Sequence, residues 1–334
     1  TGKTYTIVRL LRVLIEAALG QDKTPPLVAL AAPTGKAAAR MVESVRKGLD
    51  DMSADATFDK QRIEEHVPQN ARTLHRLLGL GGATTRPRFN ADNPLPYDVV
   101  IVDEASMVDL PMMAKLADAI RNDARLVLLG DRYQLASVES GSVLAEICAN
   151  ARVNRFTANQ RAAAGDLLRE APDPATQPLA DHVVTLQTSR RFNAHSTIGR
   201  LAAAVNAGDI EAVQALLHAG HDDLVYHDRA DAAALNTLMD RLAENYAGLC
   251  EAGNPTTALA QLGKQCVLTA VRQGPAGSET LNAGITERLA RRFDFNAANA
   301  WYHGRPVMVR RNDYRTGLFN GDVGVALYNE SGQI

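Results

Sequence analysis

Apolar positions along the chain follow two rhythms. Residues 5–19, YTIVRLLRVLIEAAL, place apolar side chains three and four apart, the spacing that lines one face of a helix. LVALAA at 27–32 is instead an unbroken apolar run and predicts a buried strand. PTGKAAARMVESVRKGL at 33–49 predicts a turn into a helix, and RTLHRLLG at 72–79 a short helix ended by glycine. DVVIVDEAS at 98–106 predicts a strand that ends in carboxylates. LPMMAKLADAI reads as a helix, RLVLLG at 125–130 as a strand and GSVLAEICA as a helix. Strand and helix alternate to residue 149, which predicts parallel βαβ units. Between them, residues 50–70 read as a polar, acidic surface, and the Gly-, Pro- and Asn-rich 81–97 as a loop or small hairpin.

The alternation then lapses. NQRAAAGDLLREAPDPATQPLADH at 159–182 is rich in Ala, Pro and Asp and predicts a long, mobile connection. VVTLQ at 183–187 predicts a strand, residues 195–218 and 231–251 helices, QCVLTA at 265–270 another strand, and a helix runs to about residue 293. The end, RPVMVRRNDYRTGLFNGDVGVAL, alternates and holds Asn320-Gly321, a hairpin signal. The expected divisions are therefore 1–158, a first α/β domain; 159–182, a connection; 183–303, a second α/β domain; and 304–334, a small antiparallel module.

Composition narrows the classes. A length of 334 residues suits about two domains. The formal net charge of −2 neither requires nor excludes a nucleic-acid partner, since a basic groove can sit on a neutral protein. Cys148, Cys250 and Cys266 are isolated in sequence. They predict buried free thiols in a reducing compartment, with no zinc site or disulfide framework. No run approaches the ~18 apolar residues of a membrane span, and no signal peptide is present, so no membrane partner is expected.

The chain opens with TGKT. Gly2-Lys3-Thr4 matches the end of the phosphate-loop pattern G-x-x-x-x-G-K-[ST], and a helix follows at once. A helix N-terminus aims N–H groups at phosphate. In that pattern the Lys3 ammonium would meet β- and γ-phosphates, and the Thr4 hydroxyl Mg²⁺. The other reading is an ordinary exposed turn. About a hundred residues on, VVIVDEAS delivers Asp103 and Glu104 at a strand end. Asp103 suits a metal-binding role and Glu104 a base that activates water; the alternative is a strand cap with two solvated acids. LVLLGDRYQLASV ends a further strand and sets Gln134 where a neutral amide can meet a γ-phosphate or its attacking water, or simply close a turn. Thr34, Gly35 and Lys36 open a helix after a strand, a turn able to donate to a DNA phosphate or merely to cap that helix.

TGKT, APTGKAAARM, ARTLHRLLG, VVIVDEASMVD, GDRYQLASV and LQTSRRF occur in this order along the chain. The set resembles the motifs of superfamily 1 DNA helicases, and within them the RecD type. VLTAVRQGPAGSETLN, GRPVMVRRND and LFNGDVGVAL are similar to the same family. The resemblance spans essentially the whole chain. QLASV, with Ala136, looks more like the subunit form than like stand-alone RecD-like helicases.

The resemblance implies a P-loop NTPase fold: two RecA-like parallel-sheet domains with the start of an SH3-like β module. It implies ATP and Mg²⁺ as cofactors, bound through Gly2, Lys3, Thr4, Asp103 and Gln134. It adds Arg191, the second arginine of SRRF, as a γ-phosphate contact, with Arg190 as its rival. Thr34, Gly35, Lys36, Thr73 and His75 would lie along the DNA path; a lone histidine is also commonly structural. Arg40 and Arg76 could add phosphate contacts. Local packing is the expectation for Phe89, Trp301 and Tyr302, and 81–97 occupies the place of a small hairpin in relatives. The implied activity is 5′-to-3′ translocation on single-stranded DNA at a duplex end, in double-strand break repair. The implied partners are the beta and gamma subunits of exodeoxyribonuclease V, RecB and RecC, in the bacterial cytoplasm, with the nuclease in another subunit. A stand-alone DNA helicase and a non-catalytic scaffold are the rival classes. The expectation also includes truncation at both ends, so that residues 1–334 alone neither bind ATP tightly nor unwind DNA.

Overall fold

The computed structural model describes every residue except 1, 53–57, 82–85, 135–142, 150–153, 169–178, 188–192, 194, 228–231 and 314. The chain divides into two compact units, Thr1–Ala212 and Val213–Ile334.

The first unit is organised by four parallel strands. In chain order its elements begin α1 (Lys3–Leu19), β1 (Val28–Ala32), α2 (Gly35–Met52), α3 (Lys60–Glu64), β2 (Ala71–Thr73) and α4 (Leu74–Leu77). They continue with β3 (Val99–Val102), a 3₁₀ turn at Ala105–Met107, α5 (Leu110–Ala119), β4 (Arg125–Leu128), α6 (Val143–Ala149), α7 (Ala158–Ala164) and α8 (Thr197–Ala207). The sheet order is β2-β1-β3-β4, and each neighbouring pair is parallel. Every residue of β1 and β3 is buried, as befits strands covered on both faces.

Side chains alternate across the sheet. Val28, Leu30, Val99 and Ile101 pack with Ile7, Leu11 and Ile15 of α1 and Met41, Val45 and Leu49 of α2. Ala29, Ala31, Val100 and Val102 face the other way, against Leu74 and Leu77 of α4, Met113 and Leu116 of α5 and Val143 and Leu144 of α6. The unbroken apolar runs thus feed two cores, giving three layers, α/β/α.

Several expectations change. The acidic segment 50–70 contributes Phe58, Ile63 and Val67 to the core beside α1, because Asp59 caps α3 by accepting from Arg62 N–H and turns Ile63 inward. Among the described residues, 183–187 belong to no ladder. Instead the Asn154 amide stands in for a neighbouring strand, donating to Thr185 O at 2.9 Å and accepting from Thr185 N–H at 2.8 Å. The 159–182 segment begins within α7. Thr157, which caps that helix, meets the Asp181 carboxylate through both its N–H and its hydroxyl, each at 2.7 Å.

α9 (Ile210–His218) spans the division between the units. The second unit contains α10 (Ala232–Cys250), α11 (Pro255–Leu262), α12 (Ser278–Phe293) and an antiparallel pair, β5 (Arg305–Met308) with β6 (Val323–Ala326). Residues 265–270, expected as a strand, carry no ladder among the described residues. Among the described residues this unit holds no parallel sheet. Its core joins Ala243 and Ala247 of α10 to Ile285 and Leu289 of α12. Asn320-Gly321 lies beside β6, at the base of the connection rather than its tip: Gly321 N–H bonds Val309 O, and Val309 N–H bonds Asp322 O. Gly304, at φ 85, is required where it stands, because a Cβ there would lie 2.6 Å from the Cys250 nitrogen. Tyr302 is buried and stacks on Phe295, but Trp301 is 60% exposed, against the expectation of packing. Cys148 and Cys250 are half-buried and Cys266 is exposed, so burial fails for the last. Among the described residues no helix is long and apolar enough to cross a membrane.

Candidate nucleotide site

Parallel strands end at the same edge of a sheet, and that edge is where α/β folds bind ligands. Here it gathers Thr34 and Gly35 after β1, Thr73 at the end of β2, Asp103 and Glu104 after β3, and Gly130 to Gln134 after β4. Residues up to a hundred positions apart in sequence therefore meet because four short strands run the same way.

Gly2 forms the N-cap of α1 with φ 101 and ψ −8, a left-handed conformation open to glycine and strained for other residues. Its carbonyl accepts from the Thr6 N–H and the Thr6 hydroxyl, both at 2.9 Å. The first turn of α1 holds no acidic residue, so its N–H groups and positive dipole end face no competing carboxylate from the helix itself.

Lys3 reaches across to the β3 end. Its Nζ lies 3.7 Å from Asp103 Oδ1 and 3.5 Å from Glu104 Oε2. Asp103 is tied into the sheet by its N–H to Ala31 O at 2.9 Å, and its Oδ1 accepts the Glu104 N–H at 2.8 Å. Glu104 adopts φ 52 and ψ 39, again left-handed, which turns its carboxylate toward Lys3. Thr4 lies in the first turn of α1; its side chain falls outside the described residues, as do Arg190 and Arg191.

Gln134 is exposed at the turn after β4, where its N–H bonds Asp131 O at 3.1 Å. Its Oε1 accepts the hydroxyl of Ser106 at 3.2 Å. Sequence reasoning passed over Ser106, which lies two positions past Glu104 within the same motif. Its partner stands 28 residues away, and only the β3–β4 pairing brings the two together.

The other predicted positions lie in the turns and helices that follow β1 and β2. The Thr34 hydroxyl caps α2 by accepting from Ala37 N–H at 3.2 Å; Gly35 is buried and Lys36 half-buried. Thr73 is buried and caps α4, accepting from Arg76 N–H at 3.3 Å. His75 is exposed on that helix, outside the core, and Arg40 and Arg76 are exposed too. Residues 86–97 are anchored to the core by Phe89, by Leu95 and by Phe89 N–H to Leu78 O at 3.2 Å.

Chemically, one cation faces two anions beside a helix N-terminus. Among the described residues no group of three or more His, Cys, Asp or Glu could hold a metal ion. Asp103 with a neighbouring hydroxyl would suit Mg²⁺, which commonly takes one or two protein oxygens and completes its shell from phosphate and water.

Residues 1–140 match a family described as an AAA domain, a nucleotide-binding type. The RecBCD enzyme subunit RecD of Mycobacterium tuberculosis is 40% identical over 99% of this chain and 52% of its own length. The corresponding subunit of Haemophilus influenzae is 36% identical over 98% of this chain and 54% of its own. The ATP-dependent RecD2 DNA helicase of Deinococcus radiodurans is 29% identical over 90% of this chain and 35% of its own. The chain spans about half the length of the RecD relatives it matches.

Proposed function

We propose that this chain, which is 40% identical to a RecD protein over 99% of its own length and 52% of that relative's, forms the motor segment of an ATP-dependent DNA helicase subunit. The observation that carries the proposal is the convergence of Lys3 on Asp103 and Glu104, at 3.7 and 3.5 Å, beside the acid-free N-terminus of α1.

The proposed ligand is ATP with Mg²⁺. The backbone N–H groups of α1 would hold the phosphates and Lys3 would neutralise their β- and γ-oxygens. Asp103 and Thr4 would hold Mg²⁺, whose charge stabilises the leaving phosphate oxygens. Glu104 would accept the proton of the attacking water. Gln134 and Arg191 would contact the γ-phosphate, the arginine through its rigid fork of donors. Thr34, Gly35, Lys36, Thr73 and His75, at or just after the ends of β1 and β2, form the proposed DNA path, with phosphate contacts giving register rather than sequence preference.

The proposed context is 5′-to-3′ movement on single-stranded DNA at a duplex end, in the bacterial cytoplasm, as a subunit with RecB and RecC. The RecD2 relative favours one rival, a helicase acting alone. Co-purification of the complete gene product with beta and gamma subunits separates the two. The domain divisions at 158, 182 and 303 stand as part of the same proposal.

The test is ATP hydrolysis by the complete gene product, with and without single-stranded DNA, beside Lys3→Ala. Strong stimulation by DNA is expected, with a loss of about 100-fold in the variant, the scale of removing one preorganised transition-state donor. Equal rates in the two proteins would overturn the assignment.

A further inference from the structure

Among the described residues, the buried hydroxyl of Ser106 lies beside this site and has no role in the assignment of Lys3, Asp103 and Glu104. Ser106 sits on the 3₁₀ turn after β3 and is 6% exposed. Its hydroxyl donates to Gln134 Oε1 at 3.2 Å. The close approach of the two turns depends on Gly130 at the end of β4. A Cβ there would lie 3.0 Å from the Ser106 nitrogen and overlap the Leu144 side chain. The backbone of Gln134 is fixed separately, by its own N–H to Asp131 O.

A glutamine amide has two unlike ends, an accepting oxygen and a donating NH₂. Exposed and unheld, it presents either end to a ligand. An anionic phosphate oxygen is met favourably only by the NH₂ end. In the observed arrangement the Ser106 hydroxyl occupies Oε1, which leaves the NH₂ end for the ligand.

We propose that Ser106 is a positioning residue of the hydrolysis site, holding the Gln134 amide so that its NH₂ end is free to meet the γ-phosphate. Ser106 acts only through Gln134, and the assignment rests on the ATPase reading of the same site. Preorganisation of this kind acts on turnover more than on nucleotide binding, since the contact matters most where charge develops.

The experiment measures kcat and KM for DNA-stimulated ATP hydrolysis by the complete gene product. Its variants are Ser106→Ala, Ser106→Thr, Gln134→Ala and the Ser106→Ala/Gln134→Ala pair, with the thermal midpoint of each. Ser106→Ala is expected to lower kcat about fivefold, the scale of one neutral hydrogen bond, with KM and midpoint little changed. Ser106→Thr, which keeps the hydroxyl, is expected to recover most of the rate. The double variant is expected to be no slower than Gln134→Ala, because coupled residues are non-additive. The assignment is overturned if Ser106→Ala turns over like the natural protein. It is equally overturned if the alanine slows the Gln134→Ala background by the same factor, which marks a structural role. A natural protein no faster than Lys3→Ala would instead remove the ATPase reading beneath it.

Discussion

Glu104 occupies the left-handed region at φ 52, a conformation that costs a non-glycine residue about 1–2 kcal/mol. Strain held at a carboxylate that faces Lys3 is consistent with a chemical role, since such outliers concentrate at functional sites. The motif made Asp103 and Glu104 legible, because an apolar strand ending in two acids is a local pattern. The Glu104 backbone conformation was not legible; the next N–H, that of Ala105, bonds Leu129 O just past β4 at 2.8 Å, a contact no local window contains. The cysteines make the same point. All three sit in similar apolar or mixed sequence, yet burial pushes the Cys250 thiol up to about 11, with Glu251 adding to the shift and Arg292 partly opposing it. Cys266 is exposed. Only the thiolate reacts, so alkylation near neutral pH, read by mass spectrometry, should mark Cys266 at least about tenfold faster than Cys250. The Cys250 rate should climb with pH up to about 11. Equal rates near neutral pH would contradict the described burial.

At the scale of elements, β1, β3, α1 and α2 were readable because each buries side chains in its own period. β2 was not: ART at 71–73 has no apolar run and becomes a strand only by pairing with β1. The reverse happened at 183–187 and 265–270, where β-prone sequence finds no ladder among the described residues. A single carboxylate ties the opposite edge of the sheet. Asp98 accepts the Leu27 N–H at 2.7 Å and the Arg121 guanidinium at 2.7 Å. These contacts, the Leu27 bond foremost, hold its carboxyl below the usual value. The depressed folded-state value means stability present above the unfolded value of about 3.9 and lost as pH falls through the lower folded one. The side chain is 47% exposed, so screening keeps the contribution to about 1 kcal/mol or less. In urea unfolding, Asp98→Asn should therefore be less stable than the natural chain at neutral pH, with the gap closing below about pH 4. Nucleotide hydrolysis should be unchanged, as Asp98 precedes β3 whereas the site follows it. A gap constant across that range would contradict the linkage.

At the scale of the whole molecule, the chain comprises two compact units, each with its own core. Calorimetry should resolve two heat-absorption transitions. Leu11→Ala, at a fully buried position of the first unit, should cost about 2–5 kcal/mol and shift one transition while leaving the other in place. A single transition moving as a whole would show instead that the units unfold together. The sequence by itself determined the parallel α/β character of the first unit and the residue types of its site. Both are carried by local patterns: apolar runs, helical spacing, and motifs a few residues long. Tertiary structure alone decided which of those motifs meet. The order β2-β1-β3-β4 places the β3 and β4 ends side by side, setting Ser106 against Gln134, and the packing of α1 on β1 and β3 sets Lys3 against Asp103 and Glu104. Tertiary contact likewise pairs Thr185, in the β-prone 183–187, with the Asn154 side chain. The reason is physical: strand pairing is a long-range hydrogen-bonding choice made among several β-capable segments, and no window of sequence contains both partners.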